Sequence, residues 1–329
     1  MTIRPHHTRL AAVLGLGLLA STALSGCGSS ASSSPTTPAS AGTSSTSTAN
    51  GQPVNVNGVE VKQDATAAAL LPAQFKSGIR IVTSAPYPPF ESFDANQNLQ
   101  GLDIDTGNAI AAVLGTTANW TSIDYNGVIP ALQAGKYDMV LASIGDTPER
   151  EKVLDFVDYS KQGQVLVVPT GNPNQITGLK DMCGRVMSVE SGNINAGYFD
   201  SLDTYCTGQG KAKMTIKELP KTSDALLAMK AGQAAAVYIG VATAADLKSK
   251  PEGAGYDVIT PTDKPFGYLP RWVGAGIPKN NAALRDAVAA ALKVLIADGT
   301  LNKLYAKYGQ ERILTGQVDI NKIVAEPLV

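Results

Sequence analysis

The chain has 329 residues, with 27 Lys+Arg against 28 Asp+Glu and 44% hydrophobic residues. That composition is globular, long enough for about two domains, and lacks the basic surplus needed to grip nucleic acid. Both histidines, His6 and His7, lie in the first ten residues, so a chain without its leader has no imidazole for Ser-His-Asp, Cys-His or His-ligated metal chemistry.

The first predicted element is a leader. Arg4 and Arg9 form a positive start, and Leu10 to Ala20 is an apolar run of eleven residues, well short of the roughly 20 that span a bilayer. Leu24-Ser25-Gly26-Cys27 resembles a bacterial lipobox, in which the Cys is acylated and becomes the mature N-terminus. From Gly28 to Gln52, 14 of 25 residues are Ser or Thr, and no charge occurs between Arg9 and Glu60. Such a segment cannot bury enough apolar surface to fold and reads as a tether. Loss of residues 1–26 removes two Arg, leaving 25 basic against 28 acidic residues, a net of −3.

From about Ser77 the pattern becomes regular. Ile79–Thr83 reads as a strand that ends in the loop Ala85-Pro86-Tyr87-Pro88-Pro89-Phe90. A helix is predicted over Thr106–Leu114 from the spacing of Ile110, Val113 and Leu114. A second runs from Gly127 to Ala134, with Pro130 tolerable only in its first turn, and Asp138–Ala142 reads as the next strand. Strands alternating with helices argue for an α/β architecture. The segment Ala131–Val140 is echoed 97 residues later by Ala228–Val237 as a helix end, a Gly stop and a buried strand. Two lobes of similar topology would explain the echo, and ligands of open α/β sheets sit outside the carboxyl ends of the strands. Cys183 and Cys206 are 23 apart without CxxC spacing, an even pair that outside the cytoplasm reads as a structural disulfide. The sequon Asn119-Trp120-Thr121 is taken as chance.

Several motifs occur in a fixed order: Tyr87-Pro88-Pro89-Phe90-Glu91, Gly101-Leu102-Asp103-Ile104-Asp105, Asn126–Leu132, Asp146-Thr147-Pro148-Glu149-Arg150 and Val153-Leu154-Asp155-Phe156. With Asp298-Gly299-Thr300 and Lys307-Tyr308-Gly309 they resemble the family 3 solute-binding proteins of ABC transporters that deliver polar amino acids. The cysteine pair resembles an actinobacterial branch. The resemblance implies an α/β, two-lobed type 2 periplasmic-binding-protein fold, each lobe a mixed sheet flanked by helices. The chain would cross between lobes near Tyr159–Gln164 and Lys264–Tyr268. The implied organisation is a lipoprotein signal peptide (1–26), acylated Cys27 and tether (27–72), lobe 1 (73–162 and 266–329) and lobe 2 (163–265).

By the same resemblance the protein is a monomer, lipid-anchored on the extracytoplasmic face of the cell membrane and without a cofactor. Its partners would be a small amino acid or related carboxylate, an ABC permease and its ATPase. Arg150 occupies the family's carboxylate-clamp position, with Ser143 and Gly145 on the preceding loop. Tyr87 and Tyr125 match the aromatics that sandwich the ligand. In lobe 2 the helix-start loop contributes Asn193 and Asn195. Gly240 stands where the family usually has an Asp that holds the α-ammonium. A buried ammonium without a carboxylate partner is costly. Glu190, Asp146 and Asn195 are the available substitutes, and a ligand without a free amine is the other solution. Two further readings compete: a dehydratase-like enzyme on this fold, with Glu190, Asp146 and Glu91 as its acid–base candidates, and a ligand-sensing lipoprotein.

Overall fold

The computed structural model describes residues 52–193, 199–261, 263–264 and 266–323. The leader, Cys27, most of the tether and Asn195 lie outside the described residues. Among those described, no helix is long and apolar enough to cross a membrane.

The folded part begins earlier than Ser77. Strands β1 (Val54–Val56) and β2 (Val59–Val61) pair across a two-residue turn at Asn57-Gly58, both with positive φ. This is the type I′ geometry that Asn-Gly favours. Alternation places Val54, Val56, Val59 and Val61 in the core, so the end of the segment 27–72 expected to be a tether is part of the globule. Helix α1 (Ala65–Ala69) follows, capped by the Asp64 carboxylate on the Ala67 N–H.

Strand β3 (Ile79–Thr83) leads through the short hairpin β4 (Ser92–Phe93) and β5 (Leu99–Gln100) to helix α2 (Leu102–Leu114). The helix starts one turn before the predicted Thr106. Asp103 and Asp105 break the apolar spacing there, yet acidic groups suit the first turn of a helix. Strand β6 (Ala118–Ser122), helix α3 (Val128–Gln133) and β7 (Met139–Val140) complete this section, the last two shorter than predicted. The long strand β8 (Leu154–Pro169) comes next, then β9 (Val186–Glu190), α4 (Asp200–Gly208), β10 (Thr215–Leu219) and α5 (Thr222–Lys230). After β11 (Ala236–Gly240), α6 (Val241–Ser249) and β12 (Tyr256–Ile259), the chain returns along β13 (Tyr268–Pro278) and closes with α7 (Ala282–Ala297), α8 (Thr300–Ala306) and β14 (Leu314–Ile320).

The principal strand order is β10-β9-β11-β8-β13-β7-β3-β6. Its halves match. β3 lies parallel between β6 and β7, as β9 lies parallel between β10 and β11, and each trio is flanked by an antiparallel long strand. The sequence echo has a structural basis in the two helix stops. Lys136 N–H donates to Ala131 O and Gln233 N–H to Ala228 O, with Gly135 and Gly232 in the left-handed region. Period-2 alternation then splits each strand between two apolar layers. Val165 and Val167 face one layer and Leu166 and Val168 the other, and β11 divides Val237 and Ile239 from Ala236 and Tyr238 in the same way.

Strands β8 and β13 run antiparallel from Tyr268↔Gln164 to Pro278↔Leu154 and join the two halves. The first half of β8 also pairs with β14, the second with β11 and β12. Cys183 and Cys206 form a disulfide with a Cα–Cα distance of 5.4 Å, tying the approach to β9 to the buried face of α4. Closing a loop of that length contributes about 3 kcal/mol in the chain-entropy picture. Reduction should therefore lower the melting temperature by several degrees, and thiol titration of the unreduced, denatured folded region should find no free thiol. Two reactive groups would reject the bond.

Candidate functional site

At the carboxyl ends of β3, β7 and β9, against β8 and β13, lies a cavity with about 580 Å³ of space free of protein atoms, open solvent included. Of the residues expected from sequence, Tyr87, Tyr125, Ser143, Gly145, Arg150 and Asn193 line it. Gly240 does not.

Arg150 begins the 3-10 turn that follows the β7 loop and is 6% exposed. Its N–H meets Thr147 Oγ1, its Nη1 donates to Gly145 O at 2.8 Å, and its Nη2 donates to Gly192 O at 3.2 Å. Tyr125 lies under the guanidinium, 5.8 Å from Cζ to the ring centre. The fork thus spans from the β7 loop to the loop after β9. A ligand carboxylate meeting it would exchange a neutral carbonyl acceptor for a charged one, and charge-assisted bonds are about twice as strong. Ser143 has φ of 48°, which turns its N–H onto Asp103 Oδ2 at 2.5 Å, while its Oγ accepts from Gln162 Nε2 at 2.6 Å.

The structure explains Gly240. Its N–H donates to Tyr87 Oη at 3.2 Å, and a Cβ at this position would lie 2.7 Å from that oxygen. A side chain at 240 and the Tyr87 hydroxyl cannot occupy the same place. Tyr87 therefore contributes its ring to the cavity and its hydroxyl to the far strand.

Sequence reasoning missed Gln162, Gln164 and Arg271 in the lining. Gly145 held a signal for Arg271: a Cβ there would lie 3.2 Å from Arg271 Cδ. The absence of a side chain at 145 leaves room for the Arg271 side chain beside the clamp. Gln162 and Gln164 flank Gly163 inside the predicted crossing, where hinge residues face the cleft.

Acidic groups give the cavity its second character. Burial, then the charges of Asp103 and Glu190, push Glu91 well above the carboxylate range. Burial raises Asp103 and Glu190 to about 7, the latter although Thr222 Oγ1 donates to Glu190 Oε2 at 2.8 Å. Below the clamp loop, burial, then the charge of Asp158, raises Asp146, and burial raises Asp158 although the Lys322 N–H and Asp146 hydrogen-bond to it, with Glu151 adding to both. A carboxyl whose folded pKa exceeds its unfolded value binds protons more readily when folded. Its contribution is complete below about pH 4 and is lost as the pH rises through the folded value. The ligand-free protein should therefore be more stable at pH 5 than at pH 8, by more than about 2 kcal/mol. At Asp155, burial is outweighed by hydrogen bonds from Lys279, Asn321 and Arg285, which hold it low and set the opposite trend at stronger acidity. Thermal unfolding across this range checks the sign; a melting temperature that climbs from pH 5 to 8 contradicts it.

The lysine/arginine/ornithine-binding periplasmic protein of Escherichia coli K12 is 28% identical over 234 residues, 70% of this chain and 86% of that protein. The arginine-binding protein ArgT of Corynebacterium glutamicum is 26% identical, covering 72% of this chain and 76% of the relative. An ancestral arginine-binding protein solved with arginine superposes with a TM-score of 0.62 at 32% identity, covering 70% of this chain and 97% of that one. An ancestral amino-acid-binding protein described as a precursor of cyclohexadienyl dehydratase gives 0.60 at 28% identity, over 70% and 94%. The sequence profile of the bacterial extracellular solute-binding proteins, family 3, matches residues 79–311, and the chain belongs to that family.

Proposed function

We propose that this protein is the membrane-anchored substrate-binding component of an ABC importer, capturing an amino acid or related small carboxylate and delivering it to a permease. The observation that carries the reading is the cavity at the strand ends, with the buried Arg150 fork presented to it. Lobe 1 would comprise residues 73–162 and 266–329, joined by the hairpin β1–β2, and lobe 2 residues 163–265. Ligand closes the lobes about β8 and β13, and the closed monomer docks on the permease. Ligand roles fall to Tyr125, Ser143, Arg150 and Asn193, with Tyr87 packing beside them. A thermal-shift screen against amino acids and small organic acids tests the reading. A ligand at 100 times its dissociation constant stabilises the native state by about 2.7 kcal/mol, whereas a screen without any shift contradicts it.

Anchoring rests on the lipobox-like tripeptide before Cys27. Cys27→Ala should release the protein from the membrane fraction or block its processing, and unchanged partition would refute the anchor. The enzyme reading draws support from Glu91 and Glu190, cavity carboxyls that hold protons near neutral pH, and from the likeness to a dehydratase precursor. Recovery of bound ligand unchanged after prolonged incubation separates binding from turnover.

A further inference from the structure

We propose that the ligand's ammonium group is received by acceptors on the hinge strand and cavity walls, led by Gln162 with Glu91, Gln164 and Glu190, in place of residue 240. This rests on the solute-binding reading and narrows its ligand to a carboxylate that carries an amine.

The cavity lining holds acceptors without donors. Among the described residues, nothing donates a hydrogen bond to Gln162 Oε1 or Gln164 Oε1. Among the described residues, neither oxygen of Glu91 receives an N–H or O–H other than through a proton shared with the adjacent Asp103. These groups are not at the surface: Glu91 is 1% and Gln162 6% exposed. Buried acceptors without donors are expensive, and a native site that collects several of them is built for a donor-rich partner. The amide of Gln162 is fixed, because its Nε2 is committed to Ser143 Oγ, so the oxygen is what it offers.

The location matters as much as the count. Gln162 Oε1 lies 3.5 Å from where a Cβ at 240 would sit, in the region an aspartate there would fill. Gln164 is the cross-strand partner of Gly240 on β8. The Tyr87 hydroxyl bars a side chain from 240, and the neighbouring strand supplies acceptors to the same region. An ammonium brings three N–H donors and no acceptor, matching this set. An amine-free acid would leave the set unmet, and the Arg150 and Arg271 guanidiniums in the lining already serve its carboxylate.

The test screens the twenty standard amino acids by thermal shift. Calorimetry then compares the strongest binder with its des-amino counterpart, in wild type, Gln162→Leu, Gln162→Glu and Glu190→Gln. Wild type should prefer the amino acid by about 100-fold or more, since hydrogen bonds to charged groups are worth about 10- to 100-fold each. Gln162→Leu should lower that preference by about 10-fold, the amino acid losing more affinity than its des-amino counterpart. Gln162→Glu, close in shape and bearing a charge, should keep or sharpen the preference. Equal affinity for both ligands overturns this inference and leaves the solute-binding reading standing. So does an amine preference untouched by Gln162→Leu and Glu190→Gln. Failure of every amino acid, with organic acids still bound, overturns the inference alone. Failure of both classes overturns the reading as well.

Discussion

Arg150→Ala should weaken binding of a carboxylate ligand by roughly 30-fold to several thousand-fold. Removing one partner of a desolvated charge pair typically costs about 2–5 kcal/mol, and each 1.4 kcal/mol is about tenfold. The guanidinium is buried, and its two donors reach Gly145 O and Gly192 O, so it is held in place before ligand arrives. Arg150→Lys should restore only part of the loss, because a point charge cannot reproduce two parallel N–H groups. The melting temperature of the ligand-free protein should fall only modestly, since Arg150 contacts backbone carbonyls at the cleft and not the apolar core. Calorimetric titration of all three proteins checks this. Wild-type affinity in Arg150→Ala would place the clamp elsewhere.

The second large effect is expected at the hinge. Gly163 lies midway along β8, and its N–H donates to Phe266 O at 2.7 Å. A Cβ at 163 would sit 2.5 Å from both Phe266 O and Tyr268 O, backbone atoms of the returning crossing. No side-chain rotation relieves that contact, so Gly163→Ala must push the two connecting strands apart. Overpacking of this kind costs about 1–3 kcal/mol, or a fall in melting temperature of roughly 2–12 °C for a chain of this size. Ligand affinity should fall too, because Gln162 and Gln164 are carried on the displaced segment. Gly127→Ala is the matching control: its nearest neighbour would be Ile123 Cδ1 at 3.8 Å, and thermal unfolding should differ little from wild type. Equal melting of both variants would mean the strands tolerate separation.

Most of the architecture was legible because period-2 and 3.6-residue patterns reflect burial directly. β3, α2 and the paired helix stops at Gly135 and Gly232 follow from that. The hairpin Val54–Val61 was hidden by the Ser/Thr-rich stretch before it, although its Val alternation around Asn57-Gly58 is a hairpin signal. At the site, positions on the loops after strands could be found, since topology sends those loops to one cleft. The meeting of Tyr87 with Gly240, 153 residues apart, could not, because it depends on which side chain crosses between strands distant in sequence. The same holds for Arg271 against Gly145. Gly240 alone suggested a lost amine site. Only the geometry around it points to Gln162.

The most direct test of the account is calorimetric titration of the strongest ligand from the screen into the purified protein, followed by recovery of that ligand. One-to-one binding, with the compound recovered unchanged, is the predicted result. Absence of binding by any amino acid or small carboxylate, or recovery of a converted product, would contradict it.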